Sequence, residues 1–333
     1  MSEYARLVRR EEQKRRRRRR RAAGLFAGLV LLGAGGYAAT QALNRDAKSK
    51  SGQAQPSGAR ESSATSTTSL TVETRTRRNE PVKTELLTAT DRASFRRLER
   101  TLGGTSALAV SAVGLDRLVQ EVGTLPEGVA WSTIKVPIAM AVEKRADGHP
   151  TASEQSLLTR AITASDNSAA EALWSDLGPP SAAAAAVRNV LVSAGDTSTQ
   201  VETRVSREGF TSFGQTRWPL AAQQRFIAAL PCLPNSEPVL SLMQQIQPDQ
   251  RWGLGSLGVD TQFKGGWGPD PAGRYLVRQM GIVRLSNGRP LAVSMATMPA
   301  DGSFAAGIAN LDQIARWLLD HVEATRVSAP HCK

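Results

Sequence analysis

The chain has 333 residues, a formal net charge of +12 and 41% hydrophobic residues, enough for one large domain or two small ones. The positive excess does not mark a nucleic-acid partner, because it is concentrated in the first 21 residues, where basic side chains outnumber acidic ones by 11 to 3. The 3 histidines, His149, His321 and His331, sit in a "GHP" turn and near the C-terminus. They leave little for a Ser-His-Asp hydrolase or a zinc site, so no metal and no cofactor is expected.

In chain order, residues 1–21 form a basic tail and "AAGLFAGLVLLGAGGYAATQA", residues 22–42, carries no charge. About 20 apolar residues span a bilayer, and a basic flank keeps the N-terminus in the cytoplasm. The expectation is a single-pass signal-anchor with everything beyond it extracytoplasmic, the arginine run also suiting anionic head groups. Cleavage and secretion is the alternative, although "TQA" at Thr40 to Ala42 is a poor cleavage site. Residues 43–84 are polar and low in aromatics, a spacer that cannot bury enough apolar surface to order itself. An ordered domain is expected over 85–326 and a short tail over 327–333. Cys232 and Cys332 would lie in an oxidising compartment, where pairing is allowed but not required by their spacing.

Within the domain, "DRASFRRLERTLG" (91–103) has helical spacing and ends on glycine, and "SALAVSAVG" (106–114) reads as a strand. Helices are expected over 132–145, 152–164, 168–177, 181–193 and 219–229. "YLVRQMGIVRL" and "LAVSMATM" are strands joined through "SNGRP", whose Asn-Gly pair specifies a hairpin. A last amphipathic helix covers 304–322. Helices inserted between strands without βαβ alternation predict an α+β fold.

Three short strings carry chemistry. In "WSTIKVPIAM", Lys135 follows Ser132 by one helical turn inside an apolar run. A partly desolvated lysine gives up its proton more readily than one in water and could take the serine's. "TASDNSAAEALW" places Ser165, Asp166 and Asn167 between two helical runs, residue types that also serve as helix caps. "TQFKGGWGPD" follows Lys264 with Gly265 and Gly266, which permit close backbone approach. S-x-x-K, S-D-N and K-[TS]-G, in this order, form the motif set of class A β-lactamases and penicillin-binding proteins. The chain resembles that superfamily over roughly residues 85 to 325.

The resemblance implies a five-stranded, mostly antiparallel sheet flanked by helices, plus an all-helical subdomain, with the active site between them. It implies an acylated nucleophile at Ser132, its proton partner at Lys135, and a relay through Ser165 to the leaving nitrogen. It assigns Asn167 to the substrate's amide side chain and Lys264 to a substrate carboxylate. The backbone N–H groups of Ser132 and Trp267 would form the oxyanion hole. The substrate would be a small β-lactam or a peptidoglycan stem peptide. Three features depart from the pattern: the hydroxyl between Lys264 and Gly266 is missing, only 33 positions separate Ser132 from Ser165, and Trp267 follows the glycines. The deacylating glutamate has no E-x-x-L-N string. Glu202 in "ETRVS" is the nearest counterpart, with Glu208 as the second candidate. Arg278, by hairpin register, is expected to help bind the carboxylate, with Arg274 second. The leading expectation is a membrane-anchored serine hydrolase of the class A β-lactamase type. A D,D-peptidase and a non-catalytic envelope-binding module are the alternatives.

Overall fold

The computed structural model describes residues 85–125 and 127–333. Helix α1 (Ala89–Leu102) starts at a capping box, Thr88 and Asp91 each satisfying the other's backbone N–H, and stops at Gly103. Strands β1 (Thr105–Ala112) and β2 (Gln120–Gly123) follow. A helical block comes next: α2 (Lys135–Arg145), α3 (Ala152–Thr163), α4 (Asn167–Asp176), α5 (Pro180–Ser193), α6 (Leu220–Ala229) and α7 (Glu237–Gln244). Then come β3 (Thr261–Pro269), β4 (Tyr275–Arg284), β5 (Pro290–Met298) and α8 (Phe304–His321).

The strands form one antiparallel sheet in the order β2-β1-β5-β4-β3. The β4–β5 hairpin turns at Asn287–Gly288, where Gly288 takes the positive φ that such a turn demands. Helix α6 packs against β1 and β5, and α8 against β4 and β5. This is the α+β architecture that the sequence predicts, with the helical block between β2 and β3. Helix α2 is buried from Lys135 through Glu143, on every face, because it runs through the centre of that block. Its Pro137 stands in the first turn, where no intrahelical N–H is needed.

Strand β2, helix α7 and strand β3 escape sequence patterning, and one predicted helix start is displaced. Strand β2 has four residues, too few for alternation to register, and exists because β1 supplies its partner. The predicted helix start at Ser132 is instead a 3₁₀ turn over Trp131–Ile134, and the α-helix begins at Lys135.

Cys232 and Cys332 form a disulfide. It fastens a C-terminal tail that already pairs with the end of β1, where His331 bridges Gly114 and its carbonyl accepts from Leu115 N at 3.0 Å. Among the described residues no helix is long and apolar enough to cross a membrane; the predicted anchor at 22–42, the basic tail and the linker lie outside them. Residues 85–333 hold as many acidic as basic side chains, so the entire +12 belongs to the first 84.

Candidate active site

Three elements converge between the sheet and the helical block. The first is the 3₁₀ turn. Trp131 enters it with φ +49°, and its indole packs on the Cα of Gly268 in β3. A Cβ on Gly266 would lie 2.8 Å from Ser132 N and 2.9 Å from Ala130 O, so glycine at 266 is what lets β3 back directly onto the serine's own backbone. Ser132 is half-buried, and among the described residues its hydroxyl makes no hydrogen bond.

The second element is the α3–α4 connection. Ser165 has φ +54°, a conformation that a side chain disfavours and that is held here by surrounding contacts. Asp166 caps α4, accepting from Ala169 N, so its side chain does the capping work its residue type suggests. Asn167 opens α4 and is exposed.

The third is Lys264 on β3. Its Nζ donates to Ser165 Oγ at 2.9 Å and to Gly265 O at 3.0 Å. Lys135 Nζ donates to Ser165 O at 2.7 Å, to Asn167 Oδ1 at 2.7 Å and to Ser165 Oγ at 3.4 Å. The Ser165 hydroxyl therefore stands between two amines. Both lysines are almost fully buried, and neither has an ion-pair partner among the described residues. Burial pushes the Lys135 amine down to about 7, partly opposed by the charges of Asp166 and Glu171. Burial and the nearby Lys135 hold Lys264 well below the usual lysine range. Burial thus favours the neutral form of both amines relative to a lysine in water.

Gly265 occupies the position whose usual hydroxyl is missing. A Cβ there would lie 2.8 Å from the ring of Trp252. Trp252 in turn packs edge-on against Trp267 and Phe304. Trp267 is half-exposed and stacked on Phe304, on the face of β3 opposite Lys264. Trp252 is a residue that sequence patterning missed; an unaccompanied aromatic in a loop gives no signal until the strand it covers is placed.

Arg278 pairs with Gly266 in the β3–β4 register, as the hairpin predicts, but its side chain runs beneath the serine's turn rather than into the cleft. It is 1% exposed. Its guanidinium donates to Gly128 O, Val129 O and Trp218 O at 3.1 Å each and to Gln223 Oε1 at 2.9 Å. Gln223 continues to Thr133 Oγ1 at 2.9 Å. Burial without a counter-ion lowers even this group to about 9. Arg274 lies at the strand's end, paired with Asp270 at 2.8 Å.

Glu202 sits in a loop pinned by buried Asp196, whose carboxylate accepts from Ser198, Thr199 and the Trp218 indole. The Glu202 carboxylate accepts from the backbone N–H groups of Thr203 and Arg204, at 2.9 and 2.8 Å. It is folded onto its own loop. Glu208 is exposed. Arg207 of the same loop donates to Pro269 O at 2.6 Å and lies over Phe210, which packs on Trp131. Among the described residues no cluster of His, Cys, Asp and Glu could hold a metal.

The fold is that of β-lactamases and the related transpeptidases. Its solved counterparts include a β-lactamase from Chitinophaga pinensis (16% identity, TM-score 0.58, covering 70% of this chain and 99% of that one). Others are a class A β-lactamase from Bacteroides cellulosilyticus (16%, 0.57, 68% and 96%) and a β-lactamase from Xanthomonas campestris (20%, 0.53, 70% and 97%). No protein-family model and no curated protein sequence matches the chain.

Proposed function

We propose that this protein is an extracytoplasmic serine hydrolase of the β-lactamase type, which takes up an acyl group on Ser132 and opens β-lactams by that route. The observation that carries the reading is the Lys135–Ser165–Lys264 chain. Ser132 lies one turn from an amine lowered to about 7, and Ser165 connects that amine to a second one. Neutral Lys135 takes the serine's proton as Oγ attacks the carbonyl; the proton then passes through Ser165 Oγ to the leaving nitrogen. Ser132 N and Trp267 N are the donors assigned to the developing oxyanion. Asn167, with Oδ1 on Lys135, keeps its amide N–H₂ for an acylamino group on the ligand. The Cys232–Cys332 bridge supports an oxidising compartment, and residues 22–42 are assigned to a membrane anchor with the N-terminus in the cytoplasm.

The test is intact mass after incubation with a fluorescent penicillin and with a chromogenic cephalosporin. A mass increase equal to the ring-opened drug is expected on the protein and not on Ser132→Ala. Turnover undiminished in Ser132→Ala would remove the assignment. The self-satisfied carboxylate of Glu202 favours a second reading, in which the acyl-enzyme forms but is released slowly, as in a D,D-peptidase that penicillin blocks. On that reading Glu202→Ala leaves the adduct's lifetime unchanged. A lifetime lengthened tenfold or more would return Glu202 to the role of deacylation base. A binding module without catalysis would give no adduct with either compound.

A further inference from the structure

Where β1 ends against helix α6, a cavity of about 280 Å³ is lined by two arginines and one carboxylate, and shares no lining residue with the active site. Gly114 N donates to Ala228 O at 2.8 Å, which fixes strand and helix to each other at its base. Arg117 comes from the β1–β2 connection, Arg225 from α6, and Asp116 is the third charge. At the end of α5 the rim is open, since a Cβ on Gly195 would meet nothing within 4 Å. The Arg117 guanidinium is fixed in place. Its Nη2 donates to Ala329 O at 2.8 Å, and a Cβ on Gly114 would lie 2.7 Å from its Nε, so glycine at 114 lets the group rest on the end of β1. That Nε is buried and has no hydrogen-bond partner. The Arg225 side chain is exposed and, among the described residues, makes neither a hydrogen bond nor an ion pair. Glu121 on β2 is near enough to feel its charge, which partly opposes the upward pull of burial on that carboxyl, but the two do not pair. Asp116 lines the same cavity and pairs with neither arginine. Elsewhere on this domain exposed arginines do close on carboxylates, as Arg217 does on Glu127 and Arg284 on Asp260.

We propose that this cavity is a binding site for a phosphoryl oxyanion held by Arg117 and Arg225, with Asp116 placed to meet an amine carried on the same ligand. Opposite charges that line one cavity without pairing leave room for a molecule that satisfies each of them separately. Guanidinium suits the anionic end, because it is weakly hydrated and its planar fork of N–H donors matches phosphate oxygens. Free phosphate and the phosphodiester of an amino-lipid headgroup share this chemistry. Exposed Leu118 follows Arg117, and exposed Val192 lies two residues before lining Ala194, so apolar side chains adjoin the charged ones as an amphiphile would require.

The experiment labels the full-length chain with phenylglyoxal, which attacks unshielded guanidiniums, and reads each arginine by peptide mass. Inorganic phosphate and glycerophosphoethanolamine are added in turn, with chloride and acetate at matched ionic strength for comparison. A saturating phosphoryl compound is expected to slow labelling of Arg225 about tenfold, while exposed Arg284 changes no more than it does in chloride. Arg117→Gln, in which the Cys232–Cys332 bridge still holds the tail, should abolish most of that protection. Asp116→Asn should weaken protection by glycerophosphoethanolamine and leave that by phosphate intact. Protection by phosphate alone supports the site and identifies the free ion as its ligand; stronger protection by glycerophosphoethanolamine supports it and identifies the lipid headgroup. Protection that acetate or chloride matches, that survives Arg117→Gln, or that neither phosphoryl compound provides overturns the proposal. An Asp116→Asn protein that treats both compounds as wild type does would remove Asp116 from it.

Discussion

Lys135→Met is expected to slow acylation of Ser132 by roughly 10²- to 10⁴-fold, the usual contribution of a positioned general base, while the domain stays folded. Methionine fits the same channel through the centre of the helical block and needs no hydration, so the substitution removes a buried amine without leaving a large cavity. The wild-type rate should also rise with pH through about 7, because the reactive species is the neutral amine and burial brings its pKa to about that value. Protonation below that point switches the base off. Stability moves in the same direction for a different reason. The folded-state value lies below the ordinary 10.5, so unfolding takes up a proton between about 7 and 10.5, and stability from this group rises across that window. Lys264 contributes with the same sign, and Lys135→Met should remove part of the rise. The measurement is mass-detected acylation alongside urea melts from about pH 5 to about pH 9. An acylation rate in Lys135→Met equal to wild type, or a flat pH profile in wild type, would contradict the assignment.

Loss of the disulfide should be the largest single effect on stability. The bridge joins residues 100 positions apart, and a loop of that size restricts the unfolded chain by about 4–5 kcal/mol in the chain-entropy model. Beyond buried Val327, whose carbonyl accepts from Arg289, the tail is held by the β-bridge at Gly114, by His331 bonds to Val113 and Leu115, and by Arg117 donating to Ala329 O. Without the covalent link these few contacts must order residues 328–333 unaided. Cys232→Ser/Cys332→Ser is expected to lower the melting temperature by about 8–20 °C for a domain of this size. Reductant should lower it similarly in wild type. The active site lies on other elements, so acylation of the folded double mutant should be unaffected. Coincident melts with and without reductant would show that the bridge does not constrain the chain.

Much of the site was legible because its chemistry is local. Ser132 and Lys135 are separated by one helical turn, and Ser165 and Asn167 flank a cap, so each pair is set by a single stretch of backbone. The hairpin register that places Arg278 opposite Gly266 was equally readable, since the short connection over residues 270–274 folds β4 directly back on β3. The direction of the Arg278 side chain was not. Whether an arginine on a strand reaches a cleft or dives under a turn depends on which carbonyls stand unpaired nearby. Those of Gly128, Val129 and Trp218 come from segments far from it in sequence. Glu202 repeats the lesson. Its position in the loop followed from spacing, but its carboxylate turns to the two N–H groups beside it, a local option that motif reading ignores.

Residue order alone therefore settled the α+β class, the three motifs and the hairpin, because periodicity and turn chemistry act over a few neighbours. Tertiary packing decided the rest. It filled the space above Gly265 with an indole from another segment, buried two lysines around one hydroxyl, and closed the disulfide across 100 residues. Each of those outcomes depends on contacts between distant parts of the chain, where the cost of removing charge and polar groups from water is levied by neighbours that no short window contains.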